Sequence, residues 1–239
     1  MLLALFCAVH VVRNGQQLYW LIILFSFPLL GSLVYLFVII LPHSRLEHGA
    51  RKVVRSAARA VDPGRELREA QAAFDDTPTA QNQMRLAAAL LDAGDATQAA
   101  ERYQACLQGP FAKDLEIRLG AARAFLEAGN AGKALDHVRS IRAEQPNFRA
   151  EAVALVTARS LAALGQGVEA RAEFESASER FGSVEVWAEY AIWALQTGDQ
   201  ATAEPLLARI DKLSAKWNKL TRQLNEPVMR RLRAARKAG

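Results

Sequence analysis

The stretch AAALLDAGDATQAAERY, residues 87–103, returns in outline three more times: ARAFLEAGNAGKALDHV at 122–138, ARSLAALGQGVEARAEF at 158–174 and AIWALQTGDQATAEPLL at 191–207. Each copy opens on an alanine (Ala87, Ala122, Ala158, Ala191) and meets a glycine seven residues on (Gly94, Gly129, Gly165, Gly198). Five residues past each glycine stands a second alanine: Ala99, Ala134, Ala170 and Ala203. Four residues beyond that comes a larger apolar side chain, Tyr103, Val138, Phe174 or Leu207. The glycines are 35, 36 and 33 residues apart, the spacing of stacked supersecondary units.

Each glycine is placed to end one helix, because the turn into the next wants a left-handed residue. The paired alanines then mark where two helices cross closely, and the larger residue fills the space between successive pairs. A unit of this length and pattern resembles the tetratricopeptide repeat, over residues 80–215 in four units near 80–114, 115–150, 151–183 and 184–215. Some features depart from that family's pattern. An early aromatic appears only as Trp187, an inter-repeat proline only as Pro146, and alanine stands where glycine is customary. Gly109-Pro110 and Phe181-Gly182 punctuate the other boundaries. The expected fold class is all-α: an N-terminal transmembrane helix, then an α-solenoid of about four such helix pairs with capping helices.

Outward from the repeats, residues 46–77 read as a degenerate helix pair broken at Asp62-Pro63-Gly64, with Leu67, Ala70 and Phe74 on one face. On the other side, residues 213–236 read as one or two basic helices separated near Glu226-Pro227. A solenoid needs polar terminal caps, and these flanks are placed to supply them. The expected divisions are a membrane anchor at 1–42, a basic linker and cap at 43–79, repeats at 80–215 and basic capping helices at 216–239.

The chain of 239 residues is 51% hydrophobic and 23% charged, enough apolar material for a folded core. Between residues 14 and 44 there is no Lys, Arg, Asp or Glu. Residues 19–41, YWLIILFSFPLLGSLVYLFVIIL, form an uncharged run of 23, long enough as a helix to cross a hydrocarbon core of about 30 Å. Tyr19 and Trp20 suit one interface and Pro42 marks the other end. Residues 1–12 are apolar too, and their insertion is left open. Arg13 stands alone before the run, whereas Arg45, Arg51, Lys52, Arg55 and Arg59 follow it. The positive-inside rule therefore places the repeats on the cytoplasmic face of a bacterial inner membrane. The pattern Tyr19-Trp20, apolar run, Pro28-Leu-Leu-Gly31, Tyr35 is similar to the N-terminal membrane region of bacterial cardiolipin synthases and other phospholipase D relatives. Their His-x-Lys signature is absent at His10, His43, His48 and His137, so the resemblance implies an anchor and no activity.

Charge is divided along the chain. Residues 69–208 hold 12 Lys/Arg against 20 Asp/Glu, a net of −8, whereas residues 209–239 hold ten against two, a net of +8. An acidic body with basic ends argues against a general nucleic-acid binder, which carries a basic face across its fold. Cys7 and Cys106 alone build no disulfide framework or thiolate metal site. No phosphate loop, nucleophile elbow or metal-spaced His/Cys set is present, so neither catalysis nor a cofactor is expected.

Function must then follow from architecture, since the first helix of each pair lines a solenoid's concave face. In this register the groove positions are Gln81, Met84, Ala88, Glu116, Leu119, Arg123, Leu155, Arg159, Glu185 and Ile192. Arg123 and Arg159 occupy equivalent places and can form a cationic patch suited to an anionic peptide or a C-terminal carboxylate, or they can pair with nearby glutamates. The basic tail (Arg230, Arg231, Arg233, Arg236, Lys237) is open to solvation, to an anionic membrane surface or to contact with RNA. The expected function is a membrane-anchored scaffold that binds a protein or peptide in the groove and the bilayer through residues 19–41. The alternative is an accessory factor in phospholipid synthesis or envelope assembly.

Overall fold

A computed structural model describes residues 64–238, which lie within one unit, Ala57–Gly239. The apolar run at 19–41, the basic cluster that follows it, the first part of the expected cap and Cys7 lie outside the described residues. Among the described residues no helix is long and apolar enough to cross a membrane.

The described residues form α-helices without strands. In chain order they are α1 (Arg65–Asp76), α2 (Ala80–Ala93), α3 (Ala96–Cys106), α4 (Leu115–Glu127), α5 (Ala131–Glu144), α6 (Ala150–Ala163), α7 (Gly167–Phe181), α8 (Val184–Gln196), α9 (Gln200–Ser214) and α10 (Lys219–Ala238). A 3₁₀ turn at Gly109–Phe111 separates α3 from α4. Helices α2 to α9 pack as four successive pairs, each pair also resting on its neighbours. These pairs coincide with the four units read from the sequence.

The local causes repeat from pair to pair. Gly94, Gly129, Gly165 and Gly198 all hold positive φ, between 74° and 93°, where a Cβ would be strained. The residue after three of them caps the second helix: Asp95, Asn130 and Asp199 accept the backbone N–H of Gln98, Lys133 and Thr202. Thr79, Asp114 and Ser183 do the same for the first helices α2, α4 and α8. All eight repeated alanines, four on each helix of the crossing, are fully buried at 0% exposure. Any larger side chain there would force the helices apart.

The third set of repeat positions fills the gaps between pairs. Tyr103, Val138 and Phe174 are buried, and Leu207 is half-buried at the end of the array. Cys106 is buried in the core, where burial pushes its thiol up from the ordinary range and leaves it a packing residue. Gly120 on α4 carries a constraint absent from the repeat pattern. A Cβ there would sit 2.5 Å from the Tyr103 ring, so the close approach of α3 and α4 requires glycine.

At the N-terminal end α1 packs on α2, burying Ala70 with Leu67 and Phe74 half-covered, the face expected of the cap. At the C-terminal end the basic segment forms one helix after α9, one of the two arrangements its sequence left open. Helix α10 does not break at Glu226-Pro227 but runs unbroken through Pro227 to Ala238. The reason lies in what its second half covers. Val228 and Leu232 close a second core over Trp187, Ala188, Ala191, Ile192 and Ile210, and that burial holds the helix across a proline.

Candidate partner-binding groove

Helix α8 lies between α6 and α10, and an open pocket of about 930 Å³ sits where the three meet. Its apolar lining comes from Ala162 and Ala163 on α6, from Ile192, Trp193 and Leu195 on α8, from Ala234, Ala235 and Ala238 on α10, and from Phe174 behind them. The small residues are what leave the space, since three alanines along one face of α10 present no bulk toward α8. Behind the pocket, the Phe174 ring stacks on Tyr190 at 5.3 Å and tilts against Trp193 at 5.7 Å. The guanidinium of Arg171 lies 5.4 Å from the Trp193 ring centre and donates to Asp199 at 2.6 Å. The floor is thereby held by aromatic contacts and by a charged pair from the last turn.

The polar wall of the pocket is Arg159, Glu189 and Arg231. Arg159 donates to Glu127 on α4 at 2.8 Å and approaches Glu189 on α8 at 3.7 Å, while Arg231 on α10 donates to the other oxygen of Glu189. Acid and base thus alternate across α4, α6, α8 and α10. Glu189 is only 5% exposed. Burial pushes its carboxyl above the ordinary carboxylate range, and Arg159 and Arg231 pull it back. A carboxylate this buried persists because two guanidinium groups satisfy it.

The groove positions read from the sequence divide in two. Gln81, Ala88, Arg123 and Glu185 are exposed, Glu116 is exposed and accepts from Arg149 at 2.8 Å, and Arg159 and Met84 are half-covered. Leu119, Leu155 and Ile192 are buried, so they support the groove from beneath and do not face it openly. The first two belong to the main core because adjacent first helices close over them, and α10 covers Ile192. The structure brings Arg159 and Ile192 together at the pocket. Arg159 is taken up by Glu127 and Glu189, the pairing with nearby glutamates that its sequence position left open. Arg123 makes no ion pair among the described residues and acts on Tyr103, whose hydroxyl burial pushes up to about 12.

Glu189, Trp193 and Arg231 are groove residues that the repeat register does not single out. A glutamate inside the apolar run VEVWAEYAIWAL is the available signal, since such a residue needs a cationic partner from elsewhere in the chain. The basic tail supplies that partner: Arg231 pairs with Glu189, Arg233 with Glu226 and Arg236 with Asp211. Among the described residues no group of His, Cys, Asp or Glu is arranged to hold a metal ion.

Comparison with known proteins agrees with this architecture. The tetratricopeptide repeat family model matches residues 90–159. The crystal structure of a thermophilic tetratricopeptide repeat protein from Thermus thermophilus is 16% identical with a TM-score of 0.58, and the match covers 78% of this chain and 98% of that one. No curated protein matches the chain. The described residues form a tetratricopeptide-like α-solenoid with an open pocket between its last first-helices and its terminal helix.

Proposed function

We propose that this chain is a membrane-tethered interaction scaffold that seats a segment of another protein in the groove over α8. The observation that carries the reading is the pocket itself: an open space of about 930 Å³ walled by α6, α8 and α10, with an apolar floor and a charged edge. Pockets with this division, apolar floor and few polar groups, bury a ligand's anchor and orient it by its polar atoms. The charge of Arg159 is largely answered by Glu127 and Glu189, so a bare carboxylate gains little there. An apolar or aromatic anchor residue on the partner, entering between Ala163 and Ala234, gains more. The tether rests on the uncharged run of 23 residues at 19–41, and the cytoplasmic placement on the five basic residues between Arg45 and Arg59.

The test is to fill the pocket without touching the core. Ala163 and Ala234 are exposed lining residues, so Ala163→Trp and Ala234→Trp change the groove's volume while leaving the repeat packing intact. Partner recovery with the full-length protein from membranes is expected to drop at least tenfold in either variant, with an unchanged melting temperature. Undiminished recovery in both would place the binding surface elsewhere.

A further inference from the structure

The hairpin between α9 and α10 carries a second surface that the groove does not use. From Lys212 to Asn225 there are four cations, Lys212, Lys216, Lys219 and Arg222, and no carboxylate. None of the four forms an ion pair among the described residues, whereas Arg231, Arg233 and Arg236 farther along α10 all do. Interleaved with these cations are Leu213 at 38% and Leu220 at 43% exposure, two of the five large apolar residues left exposed among the described residues, with Trp217 half-buried between them. The turn is braced by its own backbone. The Lys216 N–H donates to the Leu213 carbonyl, the Trp217 N–H to that of Ser214, and Asn218 accepts the Thr221 N–H at 2.8 Å. Exposed apolar side chains and cations without ion pairs therefore share one short segment whose turn is held by its own hydrogen bonds.

We propose that this tip is a docking surface for an anionic bilayer, with the cations on lipid phosphates and Leu213, Trp217 and Leu220 at the headgroup boundary. Charge complementarity argues for the occupant. The acidic body, net −8 over residues 69–208, repels a polyanion that spreads over the fold, so only a contact confined to the tip is favoured. Exposed leucines add a specific preference, because an aliphatic side chain gains by leaving water for the acyl boundary and has no comparable use against a nucleic-acid backbone. Tryptophan suits the same depth, apolar ring inward and indole N–H in the wet layer. Each basic residue near an anionic leaflet strengthens partitioning about fivefold. The tip requires no particular reading of residues 19–41 and differs from the groove in every residue.

The full-length protein reconstituted in phosphatidylcholine vesicles brominated in the acyl chains, with or without one-third phosphatidylglycerol, provides the test. The protein has four tryptophans, so the Trp217 signal is the difference in quenching between the native chain and Trp217→Phe. The expected result is Trp217-specific quenching in the anionic vesicles, lost in the neutral ones and lost on Lys216→Glu with Lys219→Glu. Equal quenching in both vesicle types, or none in either, overturns the proposal. So does single-stranded RNA binding at the tip with no quenching by lipid, which would assign the cations to a nucleic acid instead. Flotation with the neutral vesicles reads the tether at residues 19–41 separately, so failure of that anchor and failure of the tip are distinguishable.

Discussion

Truncating Phe174 to alanine tests whether the array behaves as a one-dimensional stack. The ring is 1% exposed and lies on α7 against Tyr190 and Trp193 of α8, so it joins the third pair to the fourth. Core Phe→Ala changes cost about 3–5 kcal/mol, within which each ring–ring contact accounts for about 0.5–1.5 kcal/mol. A domain of this kind holds about 5–15 kcal/mol in total, so the loss is a large share. Because each pair touches only its neighbours, the cost is expected to fall locally. Amide hydrogen exchange of the full-length protein reads this directly. Amides in α7, α8, α9 and α10 are expected to exchange about a hundredfold faster or more, while α2 and α3 keep their protection. Uniform acceleration from α2 to α10 would refute the nearest-neighbour argument, and a cost below about 1 kcal/mol would refute the packing role given to Phe174.

Further substitutions probe the groove wall and the helix contacts. Arg231→Ala removes one of two partners of a buried carboxylate and is expected to loosen α10 by about 1–3 kcal/mol in urea unfolding, whereas Glu189→Gln is expected to be neutral or stabilising. The raised carboxyl of Glu189 also fixes a sign with pH. The folded state takes up this proton before the unfolded state does, so the site's contribution is full below the ordinary value of 4.5 and is lost as pH rises through the folded value. Native minus Glu189→Gln stability should therefore increase on acidification toward 4.5, and a decrease would reverse the assignment. Gly120→Ala regains about 1 kcal/mol of helix propensity yet meets the buried Tyr103 ring at 2.5 Å, so a net loss in melting temperature is expected and a gain would contradict the close-packing argument. Asp199→Ala removes both the α9 cap and the partner of Arg171, and is expected to lower the urea unfolding midpoint, an unchanged midpoint counting against the capping role.

What the sequence made readable was whatever repeats. The alanines and glycines sit at fixed intervals because the same crossing and the same turn are built four times, and a periodic cause leaves a periodic trace. Burial at 0% of Ala87, Ala122, Ala158 and Ala191 follows from that trace alone. The groove was less legible because it is made where periodicity ends. Leu119 and Leu155 share register with exposed positions such as Arg123, and only the angle between neighbouring first helices decides which is covered. Glu189 and Arg231 are 42 residues apart, and nothing local to either names the other. Helix α10 looked like a solvated basic end because its charges were conspicuous, whereas the face that matters is Val228, Leu232 and the alanines between its arginines.

Site-specific photocrosslinking in native membranes, with the reactive residue at Gln196 in the groove and at Glu179 on the outer surface of α7, puts the central claim to its most direct test. The account predicts a discrete protein adduct from Gln196 that is absent from Glu179 and disappears with Ala234→Trp. Adducts of equal yield from both positions, or an adduct from Gln196 that survives Ala234→Trp, would contradict it.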